Sequence, residues 1–172
     1  MAGTNLDAPF GLRPYNLLGG AANSTGLTSY LVQVNGTAGS SSAIYQGDMV
    51  IPLTNGLVDV SAADGGSVAI LGVMAGCQFV NTDGETVFTN NYPGTSSLKS
   101  NSEARVFVYD NPHQVYEVKA DASLTNIATA TALIHSNAEG VNFGSQNGST
   151  GISIGEVSVS TAGATTATDN FR

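Results

Sequence analysis

Apolar residues are densest between Ser67 and Asp121, and the rest of the pattern reads outward from there. Val68 to Val80 is an apolar run broken only by small residues and Gln78. A turn at Asn81-Thr82-Asp83-Gly84 leads into Thr86-Val87-Phe88. After a Gly/Ser/Asn loop come Arg105 to Tyr109 and Gln114 to Lys119, joined by Asp110-Asn111-Pro112-His113. Strand-like runs bounded by turn clusters predict hairpins. Val68 to Val80 is expected as one long bent strand or two shorter ones, with Gly72 and Gly76 permitting bulges. A helix there is rejected, because each glycine would weaken it by roughly 1 kcal/mol. Arg105, Phe107 and Tyr109 share one strand face and Val106 and Val108 the other, so both faces are expected to be partly buried.

Upstream, Ser29 to Val34 predicts a strand with Tyr30, Val32 and Val34 on one face. Asn35-Gly36 marks a turn. Ala43 to Leu53 is a strand broken at Gln46-Gly47-Asp48, with Pro52 at its end. Asn55-Gly56, flanked by apolar residues, predicts a hairpin returning through Leu57 to Ser61 and turning again at Ala62 to Gly66. Downstream, Ala122 to Ala132 is the one helix candidate, with Ser123 as its cap. Ala132 to His135 reads as a short strand, and Gly151 to Ser160 alternates with Ile152, Ile154, Val157 and Val159 as its apolar face. Turn signals recur about every eight to twelve residues, the spacing of an all-β sandwich or barrel. The expected fold is a small antiparallel β-barrel or sandwich over residues 29–172.

Residues 1–28 break this pattern and read as an extended arm. Pro9 and Pro14 hold the residues before them extended. Gly19-Gly20 and Asn23-Ser24-Thr25-Gly26 stop any continuous element. The arm nevertheless carries Leu6, Phe10, Leu12, Tyr15, Leu17 and Leu18. So many large apolar groups must dock somewhere, either over the protein's own barrel or on a neighbouring chain, and the neighbour is the favoured place.

Composition sharpens this picture. Of 172 residues 41% are hydrophobic, enough for one folded core, yet only 10% are charged. A surface so poor in charge suits dense packing in an assembly. The net charge of −8 rests on only five basic residues, which argues against nucleic acid and anionic membranes as partners. Cys77 is the single cysteine and lies in the apolar run, so a buried inert thiol is expected and no intrachain disulfide. The first seven residues lack a secretory signal's basic and apolar regions, and synthesis in a cytosol is expected.

Candidate chemistry is sparse. Asp48, Asp83 and Asp110 sit beside Gly or Asn at turns and are expected to cap them. Their spacing does not build a calcium loop. His113 and His135 are read as ordinary turn and strand-end residues. Glu85 and Glu117 are the one imaginable carboxylate pair. No enzyme, cofactor or metal site is expected.

Several segments, in order, carry a family resemblance. They are Pro9-Phe10-Gly11-Leu12-Arg13-Pro14 with Leu18-Gly19-Gly20, then Ile44-Tyr45-Gln46-Gly47-Asp48-Met49-Val50, then Leu71 to Phe79. Asn91-Tyr92-Pro93-Gly94-Thr95, Val108-Tyr109-Asp110-Asn111-Pro112 and Val115 to Asp121 follow. Over residues 8–121 this order resembles the capsid decoration, or cement, proteins of tailed bacteriophages. Tyr92 stands where that pattern leads us to expect Trp. The resemblance implies a virion protein made in the host cytoplasm and carried on the capsid exterior. It would bind the major capsid protein and stabilise the assembled head, together with copies of itself as a trimer or dimer. Phe10, Leu12, Arg13, Tyr15, Leu17 and Leu18 are the expected interface residues. The alternatives are a carbohydrate-binding or adhesin-like module, needing Tyr45, Tyr92 and Tyr116 on one exposed face, or another virion part such as a head-fibre base.

Overall fold

A computed structural model describes residues 8–19, 26–61, 69–123, 127–132, 134, 138–146 and 148–159. The strands are β1 (Arg13–Leu17), β2 (Thr28–Val34), β3 (Thr37–Ala38), β4 (Ile44–Tyr45), β5 (Met49–Pro52), β6 (Val58–Val60) and β7 (Gly72–Val80). Then come β8 (Thr86–Thr89), β9 (Asn91–Tyr92), β10 (Ala104–Tyr109), β11 (Gln114–Glu117), β12 (Gly140–Val141) and β13 (Glu156–Val157). Among the described residues one short α-helix, α1 (Ile127–Ala132), and a single 3-10 turn, Thr95–Ser97, accompany them, and the fold is all-β.

The main sheet has seven strands, ordered β3-β2-β10-β7-β5-β6, with β8 also on β7. All its ladders are antiparallel. The strand β7 organises it. One edge of β7 pairs with β10 along its length, while the other is divided between β5 and β8. The register with β10 skips Ala75, so a bulge sits beside Gly76. That extra residue brings Met74, Cys77 and Phe79 onto the same inner face as Ala104, Val106 and Val108. The main core forms here, with Val32, Ile44, Val50, Val58, Tyr92 and Leu98. The opposite side carries a second core of Leu12, Met49, Val73 and Phe143. The arm and the C-terminal segment therefore cover the sheet's outer face, and both strand faces are buried there.

Local turn signals act as predicted. Asn35 and Gly36 both take positive φ, 47° and 80°, in a two-residue hairpin loop between β2 and β3. The Asn55-Gly56 loop joins β5 to β6, and Asn81 to Gly84 joins β7 to β8. Cys77 is buried, its Sγ donates to the Asn91 carbonyl at 2.9 Å, and burial pushes its pKa up to about 12.

Three expectations need correction. The runs Arg105 to Tyr109 and Gln114 to Lys119 do not form a hairpin, because both edges of β10 are already occupied by β2 and β7. Instead β11 leaves the sheet and pairs with β1. Ile134 is not in a strand. It is 61% exposed in a turn, its N–H bonded to the Thr131 carbonyl directly after α1. α1 is described from Ile127, and residues 124–126, which separate it from Ser123, lie outside the described residues. Finally, the inward residues of 151–159 include Ser153, Glu156 and Ser158 rather than the Ile/Val set. The turn at 62–66, His135, Leu6 and residues 160–172 lie outside the described residues.

Candidate interaction surface

The arm's path is set by one close crossing. A Cβ on Gly11 would sit 2.8 Å from the Ser153 Cβ and 2.9 Å from the Gly47 carbonyl oxygen. Gly11 and Gly47 also hold φ of 68° and 92°, a region open to glycine at little cost. The crossing lets the Leu12 N–H donate to the Gly47 carbonyl at 2.9 Å and drops Leu12 into the second core. Beyond it, β1 pairs antiparallel with β11, from Arg13 opposite Glu117 to Leu17 opposite Gln114. The Leu18 N–H closes the ribbon on the His113 carbonyl at 2.7 Å. Gln114 Nε2 adds bonds to the Asn16 and Val115 carbonyls, 3.0 Å each. The described part of the arm thus lies on its own chain.

Within this ribbon the register skips Tyr15. The unpaired residue of a bulge is re-aimed, and Tyr15 is 70% exposed. Leu18 is 71% exposed at the ribbon's end. Arg13 stacks over the Phe10 ring, 4.2 Å from its centroid. Beside Leu18 runs a groove of about 400 Å³, walled by Pro112, His113, Gln114 and Val115. The sequence-predicted residues therefore divide by role. Leu12 is a core peg unavailable to a partner. Leu17 and Phe10 are half-buried, and Tyr15, Leu18 and Arg13 face outward. Sequence reasoning missed Gln114 and Val115, whose place here depends on a pairing 98 residues distant.

Behind the ribbon lies a buried carboxylate. Asp48 is fully buried and accepts the Tyr45 N–H on Oδ2 at 2.8 Å. Its Oδ1 accepts the Gly144 N–H at 3.0 Å and the Ser153 hydroxyl at 2.5 Å. Burial raises its pKa, opposed by these same bonds from Ser153, Tyr45 and Gly144. Asp48 does cap its turn, as expected, and it also ties in two segments from far along the chain. At Asp110 the partner is the Tyr30 hydroxyl, 2.7 Å away. That bond lowers the Asp110 pKa and raises that of Tyr30. The His113 turn is capped by Asn111 Oδ1, and the Asp83 turn is braced by Asn81 Oδ1 accepting the Glu85 N–H.

The remaining candidates are dispersed. Glu85 lies in the β7–β8 turn and Glu117 on the ribbon, on different sheets. His113 is exposed in its turn. Tyr92 is fully buried, its hydroxyl donating to the Ser40 carbonyl, and burial pushes its pKa up to about 12. The Tyr116 hydroxyl donates to the Tyr109 carbonyl at 3.0 Å. Tyr45, Tyr92 and Tyr116 thus make no shared exposed platform. Among the described residues no group of three or more His, Cys, Asp or Glu is placed to hold a metal, and no helix is long and apolar enough to cross a membrane. No protein family, curated protein or solved structure matches the chain.

Proposed function

We propose that this chain is a virion structural protein that binds the outside of an assembled phage capsid as a decoration protein. Its contact with the major capsid protein is the β1–β11 ribbon. The observation that carries this reading is Tyr15 and Leu18 held outward on a strand locked from behind by Leu12 and Gln114. Exposed anchors on a preorganised strand lose little conformational freedom on docking, and aromatic and Arg side chains are the usual hot spots. A ligand that binds only the assembled shell stabilises it by mass action. Repetition over many equivalent sites lets each contact be modest. Copies of the protein on the shell would be arranged as trimers or dimers. The sequence resemblance supplies the capsid as partner, and the low charge content fits a densely packed surface.

Deleting the arm would remove Leu12 and confuse lost folding with lost binding. The test is therefore the surface double variant Tyr15→Ser/Leu18→Ser, assayed beside the parent against expanded and unexpanded phage heads. We expect saturable binding of the parent to expanded heads. The variant should bind at least about tenfold more weakly, at an unchanged melting temperature. Equal binding of the two proteins, or no binding of the parent to either head, overturns the proposal.

A further inference from the structure

The geometry points to the open edge of β8 as a self-association site, at which a second copy of this chain pairs antiparallel through the same four residues. Among the described residues β8 pairs only with β7. Exposed sheet edges are normally blunted by charge, proline or a bulge. The β1 strand has all three, in Arg13, Pro14 and the Tyr15 bulge. The β8 edge, Thr86-Val87-Phe88-Thr89, has none, and its Phe88 is 68% exposed.

Hydrogen-bond phase specifies the occupant. The hairpin closes with the Asn81 N–H on the Glu85 carbonyl at 2.9 Å. Alternation from that bond aims the N–H and C=O of Val87 and Thr89 at β7, and those of Thr86 and Phe88 at the open edge. Val80 keeps the same phase, its carbonyl turned from β8 to accept the Lys99 N–H at 3.0 Å. Four outward backbone groups in this spacing call for another strand.

A two-fold axis through Val87 satisfies all four. Thr86 then exchanges both bonds with Phe88 of the second copy, and Phe88 with its Thr86. Each Phe88 ring lies over a Thr86 methyl group on the outer face. The half-buried Val87, already packed against the main core, meets its own copy on the inner face. Charge allows this pairing. In a chain of net charge −8, the nearest carboxylate, Glu85, falls opposite Thr89 of the second copy, so no like charges oppose. A self-complementary patch closed by a two-fold axis is the commonest plan of homo-oligomers.

The register gives a test that folding failure cannot mimic. Val87 opposite Val87 is a non-hydrogen-bonded pair, with Cα atoms about 4.5 Å apart, inside disulfide range. Val87→Cys in the full chain should therefore oxidise to a covalent dimer on a non-reducing gel. Phe88→Cys, though far more exposed, should remain monomeric because it faces Thr86. Adding Thr86→Pro to Val87→Cys removes one outward N–H and should abolish cross-linking while leaving the β7–β8 ladder intact. Cross-linking of Phe88→Cys at the rate of Val87→Cys, or indifference to Thr86→Pro, overturns the inference. So does a Val87→Cys protein that stays monomeric. Capsid binding through Tyr15 and Leu18 uses a different strand, so either proposal can fail alone.

Discussion

An Asp48→Ala protein is expected to lose about 3 kcal/mol of stability, read as a lower urea midpoint at unchanged slope. Three donors converge on this carboxylate: the Tyr45 and Gly144 N–H groups and the Ser153 hydroxyl. The Ser153 oxygen in turn accepts the Gly155 N–H at 2.9 Å. Gly144 and Ser153 lie 96 and 105 residues further along the chain, so the carboxylate stitches the C-terminal segment to the sheet. Each buried donor left without a partner costs about 1–3 kcal/mol, and removing the buried charge offsets part of that sum. Asp48→Asn is the informative comparison. Its Oδ1 can keep Gly144 and Ser153, but its NH₂ must then face the Tyr45 N–H, donor against donor. A smaller loss, about 1–2 kcal/mol, is expected.

The same site sets a pH dependence. The folded pKa of Asp48 lies above its unfolded value, so at pH values between the two the folded protein holds a proton that the unfolded chain has released. Asp48's contribution is then fully present below the unfolded pKa and is lost as pH rises through the folded one. The sign is opposite to that of a salt-bridged carboxylate. Stability curves of parent and Asp48→Asn protein should converge as pH rises across that window. Curves that separate instead would mean that hydrogen bonding outweighs burial at this carboxylate.

Asp48 also shows where sequence reading stops. The turns at Asn35-Gly36, Asn55-Gly56 and Asn81 to Gly84 were legible because a turn's chemistry is local, though the strand β3 that follows Gly36 was read as loop. The bulge in β7 was legible from Gly76, while Gly72 pairs regularly with Val50. The partner of β11 was not, since it depends on which edges of β10 are filled by distant strands. In Gly151 to Ser160 the hydrophobic pattern marked Ile152 and Ile154 as the inward face. What reversed it is polar: Ser153 turns in to Asp48, and Glu156 turns in to Lys119 and Asn142, at 2.8 and 3.2 Å. Hydrophobicity alone cannot anticipate a buried residue whose partner lies far off in sequence. The arm's apolar content was readable, but not its division into Leu12 inside and Tyr15 outside, which follows from the Gly11 crossing and the Tyr15 bulge.

Gly72→Ala is expected to be among the most damaging single-methyl additions, costing about 3 kcal/mol in urea unfolding. The cause is steric alone, since Gly72 has no positive φ. A Cβ at this position would lie 2.3 Å from the Tyr109 carbonyl oxygen and 2.6 Å from Val108 Cγ1. Neither can yield easily. Val108 is fully buried in the main core, and β10 is held on both edges by β2 and β7. Moving β10 away would break the register that aligns the core valines, and moving β7 would pull Val50 off its pairing with Gly72. Gly76→Ala, on the same strand, provides the scale. Its Cβ would meet only the Thr89 carbonyl oxygen, at 3.1 Å, on the lightly held strand β8, which can shift by the few tenths of an ångström required. A cost of about 1 kcal/mol is expected there. Equal losses at the two positions would show that β10 is no more constrained than β8, and that the sheet is not built around the β7–β10 pair.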